Sequence, residues 1–501
     1  MMKDCNNPKD GQFNSKDRLS DLPDSIRRRI VSYLDTKEAY RTSVLSKRWN
    51  QVCVTNPNLD FYRQKFTVEY IDTRMQRYSK ENLPITTFTL DHPAADLPLG
   101  CKVDEWLEIA VRNQVAEINL GGLADYKLPR FLFCANSLRH LHFSNVEIPY
   151  YEALDLVSLE SLVLGQVVVE ERMLFHIVSS CLLLKKLVLS FCDSIKNLVI
   201  PRHSKLEYLY IDGNVPEDGR VILETSSLKS FMYNTNGVNP WPIISNRGLL
   251  RNLRHLLVTS LSTTAKALAE ILLELTSLEK LVFICCDMLS NIKISHTQLK
   301  HIGFYDCDNL LNVVIDAPNL NKFKFDGEIE PPLSITIHSQ ASCTIHVRTK
   351  ARYLDTDGFF ILKKLLKGLN SCNVLKFMLF DGRKKSSESD DDDDDDNDNE
   401  EESGNAELEP PCDIGELNLN MSYCEFSSSL LSAFLNGLFW TCRPTIISLR
   451  VKSGHHKLKV EPLLNKLTDM VKCLEHPLKQ IEVEETNNDS QYLDVQLSLR
   501  W

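Results

Sequence analysis

Residues 278–294 read LEKLVFICCDMLSNIKI, and residues 299–315 read LKHIGFYDCDNLLNVVI. Laid over one another, both carry an apolar residue at the first, fourth and sixth places, a cysteine (Cys286 or Cys307) at the ninth, and a closing isoleucine (Ile294 or Ile315). A third copy, LKKLVLSFCDSIKNLVI, fills residues 184–200 with Cys192 in the same place. The alternation over the first six places predicts a short strand, because successive strand side chains point to opposite faces.

Working outward, the same L-x-x-L-x-L form, with other apolar residues allowed, starts at Leu138, Leu159, Leu184, Leu206, Leu228, Leu253, Leu278, Leu299 and Leu320. The gaps between starts run from 21 to 25 residues, inside the 20–29 residue period of leucine-rich repeats, in which each unit gives one strand and one return segment. Weaker copies begin at Ile85 and Val115 before the clear ones, and at Val374, Ile414, Ile446 and Leu478 after them. The array is therefore expected to run nearly to the C-terminus. At the ninth place the chain leaves the strand, and a small side chain that tolerates the interior is needed, so Cys192, Cys286 and Cys307 are read as structural. Ala265, Leu268, Ile271, Leu272 and Leu275 have helical spacing, whereas the returns after the three cysteines read as extended. The fold class expected is α/β: an irregular solenoid with a parallel sheet on its concave face and helices and loops on its convex face.

Residues 17–60 have another pattern. Leu22-Pro23 stands at a helix entrance, and Ile26, Ile30 and Leu34 follow at spacings of four. Asp35 or Thr36 can cap a second helix running toward Ser43, and Ser46 a third that carries Trp49. A three-helix unit of about 40 residues is too small to bury all of its apolar side chains, so part of that surface is expected to meet a partner. Capping of the solenoid's end is the other role such a hairpin can serve.

The stretch DRLSDLPDSIRRRIVSYLDTKEAYRTSVLSKRWNQV resembles the F-box of plant F-box/leucine-rich-repeat proteins, with its L-P, I-x-x-x-L, L-x-T-K and S-V-L-S-K-R-W blocks. That resemblance implies that the unit packs on a small Skp-type adaptor, and through it on a cullin scaffold, while the repeats hold a protein for ubiquitination. The adaptor-facing set it implies is Leu22, Pro23, Ile26, Ile30, Leu34, Val44, Leu45 and Trp49. Arg27, Arg28 and Arg29 depart from the family pattern, as does Asp35 before Thr36-Lys37. The domains expected are a disordered tail at 1–16, an F-box at 17–60, the repeat array at 61–381, a disordered acidic loop at 382–411, and a continuation of the array at 412–501.

Strand alternation assigns the residues between the inward leucines to the concave face. The target-binding candidates are His140, His142, Lys186, Tyr208, Tyr210, Asp212, His301, Tyr305, Lys322 and Lys324. Ser230, Lys280 and Val282 are expected on the same face. Tyr208 and Tyr210 are the preferred anchors, since tyrosine carries much of the affinity at protein interfaces.

Composition narrows the classes. With 43% apolar and 25% charged residues the chain is an ordinary globular one. Its net charge of −11 comes from twelve acids between Glu388 and Glu402; the run is read as solvated, or as a site for a basic partner. No basic face points to nucleic acid. The polar stretch Met1–Lys16 is not a secretory signal, and no apolar run approaches the length of a membrane span. Fifteen cysteines without a C-x-x-C pair suit a reducing compartment, the nucleus and/or cytoplasm. His455-His456 and Cys473-Leu474-Glu475-His476 lack matching pairs at metal-ligand spacing, so neither metal nor cofactor is expected. Walker, zincin, nucleophile-elbow and dinucleotide-binding motifs are missing, and a non-catalytic receptor is expected. The alternative is a ligase-independent leucine-rich-repeat scaffold.

Overall fold

The structure is a computed structural model. It describes residues 19, 21–34, 36–62, 66–91, 100–192, 195, 197–202, 204–213, 220–234, 243–244, 247–260, 264–327, 333–339, 341–350, 356–369, 372–380, 410–423, 428–452, 480–489 and 492–500. The tail 1–16, Asp35, the acidic run, His455-His456 and the Cys473–His476 stretch lie outside the described residues. The chain forms two compact units, Met1–Ile195 and Lys196–Trp501.

The first unit opens with three short helices, α1 (Asp24–Val31), α2 (Thr36–Thr42) and α3 (Lys47–Val54). Strands and helices then alternate: β1 (Asn58–Tyr62), α4 (Val68–Glu81), β2 (Thr87–Asp91), α5 (Gly100–Arg112) and β3 (Glu117–Gly121). After them come β4 (His140–Ser144), β5 (Glu147–Ile148), β6 (Ser161–Gly165), β7 (Val168–Val169), α6 (Glu171–Ser180) and β8 (Lys186–Ser190). The strands β1, β2, β3, β4, β6 and β8 pair in that order, all parallel. Their register matches repeat to repeat, so Asn58, Thr87, Glu117, His140, Ser161 and Lys186 form one row.

The sheet starts earlier than expected, since β1 straddles the boundary drawn at residue 60. Leu59 and Phe61 are buried, and the turn before them is held by α4, whose Tyr78 hydroxyl lies 2.5 Å from the Asn56 carbonyl oxygen and 3.1 Å from that of Val54.

In the second unit the chain makes β9 (Asn197–Ile200), β10 (Tyr208–Asp212), β11 (Arg220–Leu223), β12 (Ser230–Asn234), β13 (Ile243–Ile244) and β14 (His255–Thr259). Then follow α7 (Ala265–Leu272), β15 (Lys280–Ile284), β16 (Asn291–Ser295), β17 (His301–Tyr305), β18 (Asn312–Asp316), β19 (Lys322–Gly327), β20 (Ser334–Ile337) and β21 (Ser342–Lys350). The last elements are α8 (Thr356–Gly368), β22 (Cys372–Phe380), β23 (Cys412–Tyr423), α9 (Ser428–Thr441), β24 (Cys442–Lys452), β25 (Gln480–Asp489) and β26 (Tyr492–Arg500). One sheet runs β10, β12, β14, β15, β17, β19, β21, β22, β23, β24, all parallel. The returns form smaller parallel sheets, β9–β11–β13 and β16–β18–β20, so the segments after Cys286 and Cys307 are extended and Ala265–Leu272 is helical, as their spacing indicates.

The C-terminal end is not a further repeat. β26 pairs antiparallel with both β24 and β25. Two residues separate β25 from β26, enough for a hairpin but far too few for the crossover that a parallel neighbour needs.

Within the inner strands the second and fourth residues are buried, and the first, third and fifth face outward to varying degrees. The residue that follows the strand takes a left-handed backbone at Asn145, Gln166, Phe191, Ser260, Cys285 and Asp306. For five of these six the N–H still reaches the next strand, as in Cys285 N–H to Tyr305 O at 2.8 Å and Asp306 N–H to Asp326 O at 2.7 Å. After Phe191, Cys285 and Asp306 a cysteine comes next, and Cys286 and Cys307 turn inward. Cys286 Sγ lies 3.3 Å from Ile284 O and 3.7 Å from Val258 O, and Cys307 Sγ lies 3.4 Å from Tyr305 O. Burial holds the Cys181 thiol well above the ordinary cysteine range, and the hydrogen bond with Cys286, followed by burial, does the same at Cys307.

Phe283 and Phe304 stack at 5.3 Å between ring centroids, with Phe323 next at 6.3 Å from Phe304. All three are fully enclosed. Phe304→Ala should therefore lower stability by about 3–5 kcal/mol, read as a shift of the urea midpoint by circular dichroism. Lys293→Ala, on exposed return-strand surface, should move it by no more than about 0.5 kcal/mol.

Candidate functional site

The three N-terminal helices enclose a small core of Val31, Ala39, Trp49, Val52 and Cys53, with Leu22, Ile30 and Leu34 half-buried against it. Pro23 occupies the N-cap of α1 with φ −58°, the angle its ring imposes. Ser46 caps α3, its hydroxyl accepting the Trp49 N–H at 3.3 Å. Outside this core, Leu19, Ile26, Tyr33, Tyr40, Val44 and Leu45 are left exposed, Val44 by 80% and Leu45 by 57%. Six large apolar side chains outside against five buried is the balance of a unit that needs a partner.

Of the set expected to face the adaptor, Pro23, Ile26, Val44 and Leu45 are exposed, while Leu22, Ile30 and Leu34 are divided between core and surface. Trp49 is different. At 2% exposure it lies inside the unit, because α3 turns that face onto α1 and α2; it shapes the surface from beneath and does not form part of it. Tyr33 and Tyr40 were not in the set. Tyr33, seven residues after Ile26 and three after Ile30, lies at helical spacing from them, whereas Tyr40 stands on the second helix, outside that series. Arg27 is 3% exposed and pairs with Asp24, so of the three arginines Arg28 and Arg29 alone face solvent.

The target-binding candidates all lie on outward-facing strand positions. In the first unit His140 and His142 share β4, and Lys186 stands on β8. Burial and then the Lys186 charge lower the pKa of His142, which places those two side chains near one another. In the second unit Tyr208, Tyr210 and Asp212 share β10. The Tyr210 hydroxyl donates to Asp212 Oδ2 at 2.9 Å, Asn234 Nδ2 donates to Oδ1 at 2.6 Å, and burial with that hydrogen bond pushes the Tyr210 phenol up to about 12. His301, Tyr305, Lys322 and Lys324 form a second group on the adjacent strands β17 and β19. Ser230 and Val282 are 9% and 5% exposed, so neighbouring side chains cover them and they offer little surface.

A cluster that alternation alone could not locate lies at the exit end of these strands. Asp326 accepts from His346 Nδ1 and Arg348 Nε, each at 2.8 Å, and Arg348 also pairs with Asp306. Among the described residues no three His, Cys, Asp or Glu side chains are grouped as a metal site, and no helix is long and apolar enough to cross a membrane.

A three-helix unit with an apolar exterior, followed by parallel strands at a leucine-rich period, defines an F-box protein that carries leucine-rich repeats. The family profile described as F-box domain matches residues 19–60, and the one described as At1g61320/AtMIF1, LRR domain matches residues 75–239 and 223–357. The latter takes in more than half of the chain, and the chain belongs to this plant F-box/leucine-rich-repeat family.

Arabidopsis thaliana holds many similar proteins. F-box/LRR-repeat protein 25 is 29% identical over 203 residues, which are 40% of this chain and 77% of that protein. F-box/LRR-repeat protein At3g03360 is 28% identical over 205 residues, 39% of this chain and 43% of that one. F-box protein At5g03100 is 26% identical over 200 residues, 40% of this chain and 64% of that one. The chain spans about half the length of most curated relatives it matches.

The burial of Trp49 separates folding from contact. Trp49→Ala should destabilise the helical unit by about 3–5 kcal/mol, whereas Val44→Ala should change stability by no more than about 0.5 kcal/mol. Limited proteolysis between residues 19 and 60 reads the difference, with early cleavage expected for the first variant alone.

Proposed function

We propose that this chain is the substrate-recognition subunit of an SCF-type cullin-RING ubiquitin ligase. Its helical unit docks a Skp-type adaptor, and its repeats hold a protein target on the outward face of the strands. The observation that carries the reading is the exposed apolar set Ile26, Tyr33, Tyr40, Val44 and Leu45, held on a unit whose own core is complete without it. Burying such side chains stabilises a complex by roughly 1.5–3 kcal/mol each, more than a unit of this size can leave unused in water. The same reading assigns the chain no reaction of its own, and it works in the nucleus or cytoplasm, where adaptor and cullin are found.

Val44 and Leu45 are the residues to truncate, because their exposure leaves the fold intact when they are removed. Co-purified with a plant Skp-type adaptor, the wild-type chain should form a stable complex. Val44→Ala/Leu45→Ala should lose about 2 kcal/mol or more, on the order of 30-fold in affinity, by calorimetric titration. Equal binding of the two chains would remove these residues from the interface, and no complex with either would leave the ligase-independent scaffold as the reading.

A further inference from the structure

The outward face of the second unit is divided by charge along its row of strands. On β10, β12 and β14 it presents Tyr208, Tyr210, Met232 and Leu257, whereas on β15, β17 and β19 it presents Lys280, His301, Lys322 and Lys324. The register sets Lys280 beside His301 and His301 beside Lys322, and Lys324 stands two residues further along β19. With strands about 4.8 Å apart and alternate residues about 7 Å apart, the three lysines border a patch of roughly 10 by 7 Å. Between them Gly303 is buried beneath the Tyr305 ring, which folds back so closely that a Cβ on Gly303 would stand 2.8 Å from Tyr305 Cε2, so the Tyr305 ring forms the floor of the patch.

Acids on the same face are already engaged. Asp326 is held by His346 and Arg348, and Asp212 by Tyr210 and Asn234. The cations are not: among the described residues Lys280, Lys322 and Lys324 have no ion-pair partner, while Lys300, just off the face, is paired with Glu279 at 3.0 Å. His301 adds no charge at neutral pH, since burial and then the three lysines hold its pKa down to about 4. Three like charges that face one another without a counter-charge are repulsive, and a carboxylate-bearing segment relieves that repulsion on binding.

We propose that the corner formed by Lys280, His301, Lys322 and Lys324 receives an acidic segment of the protein target, an extended stretch with carboxylates at alternate residues. The proposal rests on the reading of the repeats as the target-holding face. Alternate side chains of an extended peptide lie about 7 Å apart on one side, which is the spacing of Lys322 and Lys324, and Lys280, two strands away in the row of Lys322, adds its charge from the side.

The test uses the full chain in complex with its adaptor, with the twelve acids between Glu388 and Glu402 replaced by Asn and Gln so that no acidic stretch of its own competes. A fluorescent peptide of alternating Glu and Thr is titrated by anisotropy at low and high salt, beside the same peptide with Gln for Glu. The Glu peptide should bind in preference to the Gln peptide, more weakly as salt rises. Lys280→Glu/Lys322→Glu/Lys324→Glu should weaken it at least tenfold, and the gentler change of the same three to Gln should weaken it in the same direction. Equal binding of the two peptides, or binding of the Glu peptide that both variants leave unchanged, overturns the proposal. Adaptor binding is followed on the same samples. If it fails while the peptide preference holds, the ligase reading falls and the acidic-segment site stands.

Discussion

A five-residue strand in this protein hides two side chains, and it hides them only beneath the strands on either side. Leu281 and Phe283 on β15 are enclosed because Leu256 and Val258 stand in register on one side and Ile302 and Phe304 on the other. Each rung orders some 20–25 residues at a cost of about 1–2 kcal/mol apiece in backbone entropy, and its own interior contacts do not offset that. The neighbour supplies the rest, which is why one leucine period is repeated rung after rung and why an interior truncation is felt beyond its own strand. The outward face follows from the same constraint: once the second and fourth residues are fixed inside, the first, third and fifth are aligned in rows across the sheet whatever their identity, free to vary for recognition.

Ending the strand is a separate problem, and its solution is less visible in the sequence. The chain must leave the ladder after a fixed number of residues, and it does so through a left-handed residue whose N–H still reaches the next strand. Asn145, Gln166, Ser260, Cys285 and Asp306 do this with no shared side chain, since the requirement is a backbone angle that costs a non-glycine residue about 1–2 kcal/mol. The retained hydrogen bond offsets part of the strain. The cysteine at the ninth place is the only part of this device with a sequence signature, because it alone depends on a side chain.

What could be read beforehand follows that division. The strands from Leu138 to Leu320, the extended returns after Cys286 and Cys307 and the helix at Ala265 were legible because burial demands particular side chains at particular spacings. β1 was not, since two apolar residues, Leu59 and Phe61, make no period by themselves. The antiparallel end at β25 and β26 was missed for the opposite reason: the segment from Leu478 satisfies the repeat pattern, and chain connectivity, not hydrophobicity, decides the direction in which it pairs. Trp49 shows the limit at the helical unit. A family motif marks it as necessary without saying on which side of the surface it acts, and only the packing of α3 on α1 and α2 separates a residue that builds the interface from one that touches the partner.

The two surfaces proposed for recognition differ in the physics they offer. On the helical unit the exposed side chains are large and apolar, so their contribution to binding depends on area removed from water and varies little with salt or with the sequence of the partner beyond its shape. That suits an adaptor that many F-box proteins share. On the strand face apolar residues at Tyr210, Met232 and Leu257 give way to unpaired lysines, and charges discriminate: a partner with the wrong sign pays repulsion as well as desolvation. Of the acids on that face Asp326 is paired with the Arg348 guanidinium and Asp212 is hydrogen-bonded by Tyr210 and Asn234, while the lysines of β15 and β19 have no counter-charge among the described residues. Like charges left without a counter-charge favour an acidic partner over a basic one, because the first relieves their repulsion and the second adds to it.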